Sequence, residues 1–213
     1  IMKISLILLT YNEVTGVKEI FKQLPLQYVD EYFAIDGGST DGTLKLFENN
    51  NIPYFVQNKK GRGEAFRLAF EKATGDALIF FSPDGNEDPK DIPLFIEHLK
   101  ENDLVIASRF LKGSHNEEDD QFFKWRKWAN KAFTLIANLI WNKKKYISDT
   151  INGYRAITQD AWKKISPDAD GYTIEYQISI RSMKNKLKIK EFPTYEYSRI
   201  DDQIGSPSIP TGL

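Results

Sequence analysis

Short apolar runs separated by segments of helical periodicity fill the first half of the chain, an alternation that signals a parallel sheet built from crossover units. The runs predict strands over Lys3 to Thr10, Tyr32 to Asp36, Tyr54 to Gln57, Ala77 to Phe81 and Leu104 to Ser108. Helices are predicted between them at Gly16 to Leu24, Thr43 to Asn50, Gly63 to Thr74 and Ile92 to Asn102. In the third helix Ala65, Phe66, Ala69, Phe70 and Ala73 recur at spacings of three and four, so that face should pack on the sheet.

Beyond Ser108 the pattern changes. A polar, acidic stretch from Gly113 to Gln121, read as mobile, leads into a long aromatic-rich helix predicted over Phe122 to Trp141. Phe122, Trp125, Ala129, Phe133, Ile136 and Ile140 form an apolar stripe on it, with Lys124, Arg126, Lys127 and Lys131 interspersed and Lys143, Lys144 and Lys145 following. Two readings fit this helix equally: ordinary core, or an interfacial helix whose apolar face dips into an anionic bilayer. Then follow a loop or edge strand (Asp149 to Ile157), a short helix (Gln159 to Ile165), a helix from Thr173 to Asn185 and a strand from Lys188 to Phe192. The tail, Asp201 to Leu213, holds Gly205, Pro207, Pro210 and Gly212 and reads as flexible.

Composition narrows the function. With 41% hydrophobic residues the chain can bury a sizeable core, which excludes a disordered chain. Its 29 Lys and Arg balance 30 Asp and Glu, which argues against a phosphate-neutralising surface for nucleic acid. The absence of Cys removes disulfides, thiol nucleophiles and Cys-ligated metal sites. Only His98 and His115 offer imidazole; His98 falls within a predicted helix with no second ligand in reach along the sequence, and His115, in the polar stretch, is given no role. No leader pattern and no run of ~20 apolar residues is seen, so a cytoplasmic location is expected.

Ligands of an open parallel sheet bind outside the carboxyl ends of its strands. Those ends are unusually polar here: Thr10-Tyr11-Asn12-Glu13 after the first strand, Asp36 to Thr43 after the second, Ser82 to Pro89 after the fourth, and Ser108-Arg109 after the fifth. Carboxylates gathered from several strand ends suit a divalent cation held by oxygen ligands, Mg2+ or Mn2+.

These segments occur in a telling order. Thr10-Tyr11-Asn12-Glu13, Asp36-Gly37-Gly38-Ser39-Thr40-Asp41-Gly42-Thr43, Gly61-Arg62-Gly63, Gly75-Asp76, Ser82-Pro83-Asp84 and Ser108-Arg109-Phe110 come first. Asp149 to Arg155, Glu175, Glu191-Phe192-Pro193 and Arg199 continue the series. The whole resembles the family 2 inverting glycosyltransferases of the GT-A fold, and within them the dolichyl-phosphate mannose synthases and related polyprenyl-phosphate glycosyltransferases. The resemblance implies one α/β GT-A domain over 1–213, with a nucleotide-binding half to about 110 and an acceptor-side half over about 111–200.

It also implies roles. Thr10, Tyr11, Glu13, Asp36 and Gly38 would surround the base and ribose of a nucleotide-sugar donor, with Arg62 near the base, whereas Asp41 reads as a structural cap. Asp84 and Asn86 would hold the metal that bridges the donor diphosphate, and Arg199 would reach that diphosphate. Ser82 stands where relatives carry the first carboxylate of an Asp-X-Asp motif, and Gly37 replaces a common Asp. Arg109 is grouped with the donor-binding residues; for it and Arg155 the alternative is that they satisfy buried carboxylates. Asp149 would act as base toward a hydroxyl acceptor, or would orient a polyprenyl phosphate together with Arg155. The implied reaction moves a hexose from GDP-mannose or a UDP-hexose with inversion. Rival readings are a catalytically weak nucleotide-sugar-binding domain, suggested by Ser82, and a nucleotidyltransferase, which would need a Gly-rich phosphate loop after the first strand.

Overall fold

The computed structural model describes residues 2–117 and 125–200, except for the side chains of Trp125 and Arg126. The predicted Phe122 and Lys124 of the long helix and the tail from Asp201 lie outside the described residues.

The apolar runs become strands β1 (Ile4–Thr10), β2 (Glu31–Asp36), β3 (Tyr54–Val56), β4 (Ala77–Phe81) and β5 (Leu104–Ser108). Helices α1 (Val14–Ile20), α2 (Thr43–Asn49), α3 (Arg62–Lys72) and α4 (Ile92–Leu99) connect them. After β5 come α5 (Trp125–Trp141), β6 (Arg155–Thr158), α6 (Gln159–Ile165), α7 (Ile174–Lys184) and β7 (Ile189–Pro193). The sheet has seven strands in the order β3-β2-β1-β4-β6-β5-β7. All neighbours are parallel except β6, which runs against both β4 and β5.

β6 corrects one expectation. The segment read as a loop or edge strand is central, with Arg155 opposite Phe80 on one side and Ile106 on the other. Because β6 is reversed, its first residue sits at the edge where the parallel strands end.

Both sheet faces are covered, as continuous apolar strands demand. On one face Ile7, Ile35, Leu78 and Phe80 pack with α3, α6 and α7; on the other Leu6, Leu8, Ile79 and Phe81 pack with α1, α2 and α4. The predicted face of α3 is the buried one: Phe66 stacks on Phe80 with ring centroids 3.9 Å apart, and Phe70 stacks on Trp162 at 4.0 Å.

α5 packs the opposite way to an ordinary amphipathic helix. Thr134, Ala137 and Asn138 are buried, whereas Phe133, Ile136 and Ile140 of the predicted stripe are exposed. The inward face is held by hydrogen bonds: Thr134 Oγ1 meets Thr150 Oγ1 at 2.8 Å, Asn138 Nδ2 donates to Ile147 O at 2.8 Å, and Ile147 N donates to Asn138 Oδ1 at 2.9 Å. The core reading of the stripe is thereby excluded for these three residues.

A buried amide that loses its partners leaves orphaned polar atoms, at about 1–3 kcal/mol. Asn138→Ala should therefore lower unfolding free energy by about that amount in chemical denaturation, and an unchanged midpoint would show that the helix is held some other way.

Candidate active site

Polar loops meet along the edge formed by Thr10, Asp36, Phe81, Ser108 and Arg155. On the β1–β2 side, Asp36 is buried and fully bonded. Its Oδ1 accepts from the amides of Gly38 and Ser39 at 2.8 and 2.7 Å, and its Oδ2 accepts from Thr10 Oγ1 and Ser39 Oγ at 2.8 and 2.7 Å. The carboxylate expected to face a ligand thus shapes the loop that would meet one. Gly38 adopts φ 91° with open space around its α-carbon, which exposes its backbone to the cleft. Asp41 is structural, as expected: it accepts from Val14 N at 2.9 Å and Thr43 N at 3.0 Å, tying α1 to α2. Glu13 follows β1 at the start of α1, its amide donating to Thr43 Oγ1 at 3.1 Å.

Tyr11 is half exposed at the mouth of this loop, with Lys60 Nζ 5.6 Å from its ring centroid. A β-carbon on Gly37 would come within 3.0 Å of Tyr11 Cδ2, so a larger residue there would crowd the ring. Arg62 forms an ion pair with buried Glu175 of α7, and its charge acts on Asp84 and Glu87 of the β4 turn.

The β4 turn is the most acidic part of the edge. Asp84 is mostly buried, which pushes its carboxyl above the ordinary value, while Arg199 offsets this in part. Arg199 Nε lies 3.1 Å from Asp84 Oδ2, although its N–H does not align on that oxygen. Asn86 donates to Tyr197 O at 2.6 Å and to Glu117 Oε2 at 3.2 Å. The segment before Asp201 is stitched over the turn: Tyr197 N donates to Asn86 O and Ile200 N to Asp84 O, both at 2.9 Å. Gly16 lets α1 approach the same turn, since a β-carbon there would fall 2.3 Å from Pro83 O.

Glu87 escaped the sequence reading. Its Oε2 accepts from the amide of Ser82 at 2.7 Å, and burial, reinforced by the charge of Asp84, drives its carboxyl well above the usual range. A second carboxylate thus stands at the backbone of the position where the first motif carboxylate is missing. The signal was available, because Glu87 lies in the same strand-end turn as Asp84. Among the described residues no three acidic or imidazole groups form a complete metal cage. Asp84, Asn86 and Glu87 are nonetheless hard oxygen donors, and two desolvated carboxylates in one turn fit a Mg2+ or Mn2+ ion whose remaining ligands come from phosphate and water.

On the β5 side, Arg109 bridges two carboxylates. It donates to Asp149 at 2.8 Å from Nε and 3.1 Å from Nη2, and to Glu196 at 3.3 Å from Nη1. Glu196 was also absent from the sequence reading. Burial works against the Asp149 charge, but Arg109 outweighs it and holds this carboxyl below the ordinary range. Asp149 is thus a poor base. Arg155 is wholly buried, donating to the carbonyls of Thr150, Asn152 and Glu175 and to Ser179 Oγ. It holds main chain rather than facing the cleft; its hydrogen bonds go to carbonyls and a hydroxyl, while the charges of buried Glu175 and Asp149 support its own. His98 packs in α4 against Phe192, and His115 is anchored, its ring stacked 4.2 Å from that of Tyr195.

Residues 5–160 match the family described as glycosyl transferase family 2, and the chain belongs to that family. The sheet and its helices are those of the GT-A fold. The chain is 30% identical over 198 residues to glycosyltransferase AglJ of Haloferax volcanii, covering 90% of this chain and 62% of that protein. It is 28% identical over 195 residues to the dolichol-phosphate mannosyltransferase of Pyrococcus furiosus, covering 87% of this chain and 54% of that one. The chain thus spans little more than half the length of these relatives. Among solved structures, glucosyl-3-phosphoglycerate synthase of Mycobacterium tuberculosis, in complex with Mn2+, UDP-glucose and phosphoglyceric acid, superposes with a TM-score of 0.75 at 22% identity, covering 94% of this chain and 72% of that one.

Removing one partner of a buried ion pair costs about 3–5 kcal/mol. Asp149→Asn should cost the fold that much near neutral pH. A carboxyl lowered by folding stabilises above its unfolded value and loses that contribution as pH falls through its folded value. The gap between parent and variant should therefore close below pH ~4, and a gap that persists in acid would assign the loss to packing instead of charge.

Proposed function

We propose that this chain transfers a hexose from a nucleotide-diphosphate sugar to a polyprenyl phosphate, with inversion. Tyr11, Glu13 and the Asp36–Ser39 loop receive the nucleoside, and the Asp84 turn with Arg199 receives the diphosphate. The Arg109 side forms the acceptor half. In the reaction an acceptor oxygen forms a bond to the anomeric carbon, and the bond from that carbon to the diphosphate breaks with its electron pair leaving on the nucleoside diphosphate. Arg199 neutralises charge building on that group. A divalent cation held by Asp84 and Asn86, with Glu87 beside them, would supply further charge neutralisation when bound.

The observation that carries the acceptor assignment is the commitment of Asp149 to Arg109. A hydroxyl acceptor needs a base, and the candidate base is buried, paired and weakly basic. A phosphate monoester, with a second pKa of about 6, is already a nucleophile at neutral pH and needs none. The name of the Pyrococcus furiosus relative points to the same acceptor chemistry. Transfer to a glycan hydroxyl is the second reading; a lipid acceptor sets the reaction at the cytoplasmic surface of a membrane.

Nucleotide sugars should be screened with a short polyprenyl phosphate and with free sugars as acceptors. The expected product is a glycosylated lipid phosphate, and transfer to sugar hydroxyls alone would overturn the assignment. Asp84→Asn should lower turnover by about two orders of magnitude, the loss of a principal charge-stabilising group, while the variant remains folded by circular dichroism. Undiminished turnover would remove Asp84 from the site.

A further inference from the structure

Gln57 carries a side-chain oxygen that the fold itself does not use. The residue follows β3, and its backbone amide donates to Asp36 O at 2.9 Å, beside the loop assigned to the nucleoside. Its side-chain Nε2 donates to Gly61 O at 2.8 Å and to Lys59 O at 3.2 Å. Carbonyl oxygens only accept, so both amide hydrogens face these two groups and the amide has one orientation. Oε1 is thereby turned away from the 59–61 loop, and among the described residues no hydrogen bond ends on it.

That oxygen borders one particular gap. It lies 3.5 Å from where a β-carbon on Gly37 would stand, a point that Tyr11 Cδ2 approaches to 3.0 Å. Oε1 and the Tyr11 ring therefore flank the same space, which stays open because residue 37 has no side chain. The 59–61 loop is in turn anchored: α3 begins directly after it, with Gly63 N donating to Asp170 O at 2.9 Å and Arg62 paired with buried Glu175. An acceptor fixed in advance discriminates among ligands, since a wrong partner leaves it unpaired or opposed.

Lys60 supplies a second feature, a cationic donor whose Nζ lies 5.6 Å from the Tyr11 ring centroid. A base stacked on Tyr11, as flat rings stack on aromatic side chains, would present its edge to Oε1. Uracil and guanine each carry a ring N–H next to a carbonyl, a donor for Oε1 and an acceptor for Lys60. Cytosine and adenine carry a ring nitrogen lone pair at that place, which would oppose Oε1. We propose that Gln57 Oε1 reads the edge of the donor's base and selects a ring N–H beside a carbonyl, which makes Gln57 a specificity-determining residue. This role presupposes a nucleoside against Tyr11 and so rests on the function proposed above.

Titration calorimetry with Mn2+ present tests it on UDP, GDP, CDP and ADP, and on UDP and GDP methylated at the ring N–H. UDP or GDP should bind, with CDP and ADP weaker by about tenfold or more. Methylation should cost about tenfold, the worth of one hydrogen bond whose acceptor is left unpaired. Gln57→Arg keeps donors for the Lys59 and Gly61 carbonyls while removing the acceptor oxygen. In this variant the difference between methylated and unmethylated nucleotide should largely vanish; the added charge acts on both alike, so their ratio reports the base edge alone. Equal affinity of the parent protein for the two forms, or an unchanged ratio in Gln57→Arg, would overturn the proposal and leave the donor site standing. Binding of none of the nucleotides would defeat the donor assignment, and this role with it.

Discussion

The guanidinium of Arg155, shut away from water, ties the start of β6 to the loop before it and to α7. It donates to the carbonyls of Thr150 and Asn152 in the loop before β6 and to the Glu175 carbonyl and Ser179 hydroxyl of α7. A buried cation is costly unless its donors are all engaged, so these carbonyls are held in one arrangement. Burial depresses Arg155 to about 10, still well above neutrality, so the charge and its bonds persist. The reversed strand begins at this knot. From it the loop carries Asp149 to Arg109, and Glu175 reaches back to Arg62.

From that anchor the edge is a series of compensated charges with one imbalance. Asp149 and Glu196 share Arg109, and Glu175 holds Arg62. At the β4 turn, however, Asp84 and Glu87 both lie in poorly solvated surroundings that favour protonation, with Arg199 as the facing cation. Electrostatic deficit of this kind concentrates where charged ligands bind. It matches a donor that arrives as a diphosphate with its counter-ion.

Much of the fold was legible because its strands are apolar and its loops are not. The five strands of the first half follow from continuous runs such as Ala77 to Phe81, and the α3 face from its spacing. β6 was misjudged because four residues opening with an arginine do not resemble a central strand; only the carbonyl partners of Arg155 make that placement affordable. α5 was ambiguous because periodicity reports that a helix has two faces, not which one turns inward. At the site, residue types identified the Asp84 turn. They could not reveal that Asp36 would be saturated by Gly38 and Ser39 of its own loop with Thr10, 26 residues away, or that Asp149 would be locked under Arg109, 40 residues away, since both depend on how the chain folds back.

The inward face of α5 has a mechanical consequence. Greasy contacts tolerate sliding and rotation, because dispersion and burial carry little directional preference. Thr134 and Asn138 instead engage fixed donors and acceptors on Thr150 and Ile147, and a turn of the helix about its axis by one residue would break them all. The helix is therefore keyed like a shaft in a slot. Whatever meets its outer side finds a surface at a constant bearing to Arg109, so an approach angle is built into the protein before any partner arrives.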